Sequence, residues 1–202
     1  VHLRAVDVVA GGLYGSLGVP ARAQDADGAC ERALASMSLI GIAGLAERDI
    51  MTLSTGQARR VLIARALVHD PRMLVFDEPC TGLDPEGMYY VRSSMRTLAR
   101  AGKGIVLVTH YPEDIIPEID RVVLLKGGRV HADGTKRELI TDKVMSELFE
   151  VPLRVRREAA SASAMGPLSG SNLTSGQGMS RGEDAREEYF SLVSAYELLY
   201  TT

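Results

Sequence analysis

Asp77 and Glu78 are adjacent carboxylates directly after the apolar run Met73-Leu74-Val75-Phe76. Such a run reads as a strand, and the carboxyl end of a strand is where open α/β sheets bind ligands. Two carboxylates there can divide the work of phosphoryl transfer. One takes Mg²⁺, directly or through water, and the next orients the attacking water. Seen alone, an Asp-Glu pair is as readily a solvated strand end. His110 follows a second apolar run, Ile105-Val106-Leu107-Val108, and Thr109. An imidazole at the end of a neighbouring strand can reach a terminal phosphate and a catalytic carboxylate, although a lone histidine is more often structural. Leu53-Ser54-Thr55-Gly56-Gln57 opens a helical pattern. A hydroxyl and bare backbone N–H groups at the positive end of a helix dipole seat a phosphate, and an ordinary N-cap is the competing reading.

These groups need a scaffold of alternating strands and helices. A helix is expected from Gly56 through Leu67, with Val61, Leu62, Ala64, Ala66 and Leu67 inward and Arg59, Arg60 and Arg65 on another face. His69-Asp70-Pro71 ends it, because the residue before proline disfavours the helical conformation. Residues 73–76 and 105–108 read as strands buried on both faces, joined by a helix over 85–100, which implies a parallel pair. Residues 122–125, the turn Lys126-Gly127-Gly128 and residues 129–131 read as an antiparallel hairpin, followed by one helix over 136–149. Residues 159–180 are rich in Ser, Gly and Ala and are expected to be disordered. Residues 183–200 regain helical periodicity, with Tyr189, Phe190, Val193, Tyr196 and Leu199 available for one face.

The 202 residues are 46% apolar and 24% charged, a globular balance with enough chain for one full core. A net charge of -3 gives no sign of a nucleic-acid surface, so no nucleic-acid partner is expected. Cys30 and Cys80 lack metal-ligand spacing and read as free thiols in a reducing compartment. No apolar run approaches the roughly 20 residues that cross a bilayer.

Taken in order, residues 53–57, Asp77-Glu78, Leu83-Asp84 and His110 resemble the signature motif, Walker B strand, D-loop and switch histidine of the ABC ATPase family. Ala64-Arg65-Ala66-Leu67 and Asp77-Glu78-Pro79 add to the match, which extends to about residue 157. Thr55 stands where many signature motifs have glycine. Tyr111-Pro112-Glu113-Asp114-Ile115-Ile116-Pro117-Glu118-Ile119 and Glu147-Leu148-Phe149 resemble the molybdenum-transport type.

The resemblance implies an α/β fold: part of a P-loop NTPase domain with mostly parallel buried strands, a helical subdomain and a C-terminal hairpin. The expected divisions are a helical and signature part over 1–69, a Walker B and switch core over 70–157, a linker over 158–182 and an added helix over 183–202. It further implies ATP and Mg²⁺ as cofactors. Asp77 would bind the metal through water, Glu78 would polarise the attacking water, and His110 would stabilise the γ-phosphate. Ser54, Thr55, Gly56 and Gln57 would complete a site on a second ATPase subunit, and Asp84 would couple the two sites. The implied partners are that second subunit, a transmembrane permease and a transported small molecule or ion, with the protein peripheral on the cytoplasmic face of a membrane.

The sequence contains no G-x-x-x-x-G-K-[S/T] phosphate loop. Gly102-Lys103 is followed by Gly104, and Thr97 stands at the first-glycine position. With Val1 in place of Met, this leads to the expectation of an upstream start, a fragment of a longer ATPase, and weak hydrolysis by these residues alone. Two alternatives stay open: a non-catalytic regulatory subunit, and a soluble ABC ATPase acting on ribosomes or DNA. The echo Leu173-Thr174-Ser175-Gly176-Gln177 is followed by no Walker B strand and reads as coincidence.

Overall fold

The computed structural model describes residues 2–20, 28–159 and 188–194. The chain forms two compact units, Val1–Ile119 and Asp120–Thr202.

In the first unit, α1 (Ala5–Ala10) is apolar except for Asp7, and every other residue in it is buried. It packs against α2 (Ala29–Leu39) and α3 (Thr55–Leu67). The inward face of α3 is Val61, Ile63, Ala64 and Leu67. Leu62 and Ala66, expected inward, are exposed. They stand four residues apart on a face that neither α1 nor α2 covers, so position around the helix outweighs side-chain type. Arg60, expected on the outer face, instead reaches the open end of α2, donating to the Ile40 carbonyl at 2.7 Å, and lies over the Tyr90 ring. Cations stabilise helix C-termini by meeting such carbonyls.

β1 (Met73–Asp77), α4 (Pro85–Arg100) and β2 (Gly104–Val108) follow as expected, and the strands pair in parallel from Met73↔Gly104 to Asp77↔Val108. Asp84 caps α4, accepting the Gly87 N–H at 2.7 Å, and Pro85 occupies the first turn. Val91, Met95 and Leu98 form the buried stripe of α4. Leu74 and Phe76 are buried, but Met73, Val75, Val106 and Val108 are exposed by 60%, 67%, 41% and 49%. The sheet expected to be buried on both faces is therefore covered on one, with these side chains open on the other.

Residues on both sides of position 69 share one core. One continuous core joins α1–α3 to β1, α4 and β2, from Ala5 through Ile116. The division falls between Ile119 and Asp120.

The second unit opens with the expected hairpin, β3 (Arg121–Lys126) and β4 (Arg129–Thr135). Gly127 and Gly128 both hold positive φ, +57° and +72°, which the tight two-residue turn requires. The single helix expected over 136–149 is two, α5 (Lys136–Leu139) and α6 (Asp142–Phe149). The break is local: Ile140 has ψ 77°, and Thr141 restarts the helix as an N-cap for Val144. β5 (Leu153–Ala159) pairs antiparallel with β6 (Glu188–Ser194). Residues 188–194 are thus a strand where a helix was expected. Tyr, Phe, Leu and Val within seven residues suit a strand as well as a helix, and pairing with 153–159 decides between them. Residues 158–159, expected in the linker, belong to β5, while residues 160–182 and the rest of 183–202 lie outside the described residues.

Candidate functional site

The parallel register sets Asp77 and Val108 side by side, so the chain leaves both strands at the same end. Glu78 continues the pairing by one bond, its N–H donating to the Val108 carbonyl at 2.9 Å. Its φ is +45°, a left-handed conformation that costs a non-glycine residue on the order of 1 kcal/mol. Such strain persists only where surrounding contacts hold it. Those contacts are present. Glu78 Oε1 meets His110 Nδ1 at 2.6 Å and accepts the His110 backbone N–H at 3.2 Å, and Thr81 Oγ1 donates to Oε2 at 3.0 Å. The His110 hydrogen bond, aided by Thr81, holds the Glu78 carboxyl below its usual range. At neutral pH Glu78 is therefore an ionised acceptor. With Nδ1–H donating to it, the His110 ring keeps Nε2 as a second polar atom.

Asp77 is exposed beside this pair and makes no side-chain hydrogen bond among the described residues. A single carboxylate fits Mg²⁺, which takes one or two carboxylates and fills its other positions with substrate phosphates and water. Among the described residues, no group of three or more His, Cys, Asp or Glu side chains is arranged to hold a metal on its own.

The second expected group lies where α3 begins. Ser54 is the N-cap: its Oγ accepts the Gln57 N–H at 3.2 Å, and Gln57 Oε1 accepts the Ser54 N–H at 3.1 Å. This reciprocal box uses the Gln57 side chain internally and fixes the helix start. The N–H groups of Thr55, which is exposed, and Gly56, which is buried, find no acceptor among the described residues, so the positive end of the helix keeps unpaired donors. Gly56 is also buried against α4, and a Cβ built on it would come within 2.8 Å of Gly87 Cα. A Cβ on Gly87 would in turn come within 2.8 Å of Asp84 Oδ1. Asp84 is thereby linked to residues 54–57 through a glycine-to-glycine contact.

The structure thus unites Asp77, Glu78 and His110 as one cluster, and Ser54, Thr55, Gly56, Gln57 and Asp84 as another. Sequence reading missed Thr81, Gly87, Thr109 and Asp114. Thr81 and Thr109 neighbour the motifs and could have been suspected from that. Gly87 and Asp114 carry no signal without the packing. Cys80 is buried, and burial first, then the Asp114 charge, pushes its thiol up to about 12, so it stays protonated.

The sequence model of the ABC transporter family matches residues 13–81. The chain is 35% identical over 156 residues to the ABC transporter ATP-binding protein YlmA of Bacillus subtilis (strain 168), covering 75% of the chain and 57% of YlmA. It is 41% identical over 102 residues to Nod factor export ATP-binding protein I of Rhizobium etli, covering 50% of the chain and 32% of that protein. The chain therefore spans between about a third and somewhat over half of these relatives. An inward-facing metal-chelate type ABC transporter superposes with a TM-score of 0.72 at 20% identity, over 98% of the chain and 69% of that structure, a likeness of fold alone.

Proposed function

The chain belongs to the ABC transporter ATPase family, and on that premise we propose that it supplies the hydrolytic pair and the signature helix of an ATP-binding component that drives transport across a membrane. The observation that carries this reading is the 2.6 Å contact between Glu78 and His110 at the open end of β1 and β2, with Asp77 beside it.

The geometry supports the following roles. Glu78, ionised and fixed by three hydrogen bonds, orients a water and accepts its proton as that water attacks the terminal phosphate of ATP. His110 holds Glu78 and turns its other ring nitrogen to the terminal phosphate. Asp77 would hold Mg²⁺ through water, and that ion would neutralise charge on the phosphates. The unpaired N–H groups of Thr55 and Gly56, with the Ser54 hydroxyl, meet the phosphates of a nucleotide held by a second ATPase subunit. Asp84 and Gly87 transmit that contact into α4.

The Glu78 site requires a phosphate loop, which these 202 residues do not contain. Among the described residues no helix is long and apolar enough to cross a membrane, and the proposed partner is a permease that binds a small molecule or ion, with the ATPase peripheral on the cytoplasmic face.

The test uses the full-length protein with Glu78→Gln. Steady-state ATP turnover is expected to fall on the order of 10²-fold or more, as for loss of a general base, while ATP binding persists. Turnover at the wild-type level would overturn the assignment.

A further inference from the structure

Beneath the His110 turn lies a carboxylate that the proposed reaction does not use. Asp114 is 1% exposed. Its Oδ1 accepts two hydrogen bonds from Arg92 on α4, at 2.7 Å from Nη2 and 3.1 Å from Nε. Its Oδ2 accepts from Thr109 Oγ1 at 3.2 Å, and the same Oγ1 accepts the Tyr111 N–H at 3.0 Å. A buried carboxylate is kept only where partners satisfy it, and here hydrogen bonds reach it from Arg92 on α4 and from Thr109 in the turn carrying His110.

We propose that Asp114 is a positioning residue: anchored on α4 by Arg92, it holds Thr109 and so fixes the backbone on either side of His110, placing ring and N–H together on Glu78. This rests on the reading of Glu78 and His110 as the hydrolytic pair. Of the two contacts from His110 to Glu78 Oε1, the one from the main-chain N–H needs the peptide between Thr109 and His110 in one orientation, and the one from Nδ1 needs the ring carried beside it. Asp114 sets that orientation from one side. The ion pair thus ties the turn carrying His110 to the helix that begins at Asp84.

The experiment follows hydrogen exchange of the His110 backbone amide by NMR in the nucleotide-free full-length protein at one neutral pH. That N–H donates to Glu78 Oε1, so Glu78→Ala, which removes the acceptor, sets the reference for a lost contact. Asp114→Asn keeps the shape and loses the anchor. Thr109→Val keeps the ion pair and cuts the link to the turn. Both are expected to speed exchange of the His110 amide by more than half, on a logarithmic scale, of the change seen in Glu78→Ala, while amides in the middle of α4 keep their wild-type rates. Thr109→Val changes no charge and decides the matter if Asp114→Asn fails to melt cooperatively. If Glu78→Ala speeds exchange and Thr109→Val leaves it at the wild-type rate, the positioning role is overturned. If Glu78→Ala itself changes nothing, the Glu78–His110 contact fails and the proposed hydrolytic pair with it.

Discussion

The start of α3 and the ends of β1 and β2 both present groups suited to phosphate, but they are built differently. Ser54 and Gln57 bond each other across three residues, so the cap forms with the helix that it starts. Glu78 and His110 are 32 residues apart in sequence and meet only because β1 and β2 pair in one register. The first group is a local device sealed by packing: Gly56 is buried against Gly87. The second is a long-range device left half open, with the Glu78 side chain 33% and the His110 side chain 56% exposed. A binding surface can be rigid before its ligand arrives, whereas a reacting pair must admit water and phosphate.

Substitutions in the two regions should therefore separate stability from chemistry. The largest stability effect is expected for Gly56→Ala. Its Cβ would meet Gly87 Cα at 2.8 Å, backbone on both sides, so the helix starts must part. Overpacking of this kind costs about 1–3 kcal/mol, read as a lowered Tm. A melting temperature equal to wild type would show that the two helices are not pinned there.

Ser54→Ala should cost about 1 kcal/mol through the lost cap, again read by thermal unfolding. In the Glu78 region, the effect on stability should be small at neutral pH and should vanish in acid. Because His110 holds the folded Glu78 carboxyl below its ordinary value of 4.5, the contact stabilises above that pH and is lost as pH falls through the folded value. His110→Ala should remove this small component, bringing its acid-unfolding profile closer to that of Glu78→Gln. A profile identical to wild type would mean that the contact carries no linkage.

The same contrast explains what could be read from sequence. Helices α3 and α4, strands β1 and β2 and the hairpin announce themselves by local periodicity and punctuation. Asp77 and Glu78 were legible because they follow an apolar run, and Ser54 because it precedes a helix. Gly87 and Asp114 were not, since each matters through a partner distant in sequence, Gly56 for one and Arg92 for the other. The exposure of Met73, Val75, Val106 and Val108 was also hidden, because an apolar strand does not reveal whether anything covers its second face. Residues 188–194 show the same limit, since their partner strand and not their own pattern makes them β.

The most direct test of the account is a double-mutant cycle on ATP turnover in the full-length protein, with Glu78→Gln, His110→Ala and both together. One catalytic unit predicts that each single change lowers turnover on the order of 10²-fold or more, and that the double variant is little worse than the poorer single one. Losses that multiply would contradict the account, because Glu78 and His110 would then act independently despite their contact.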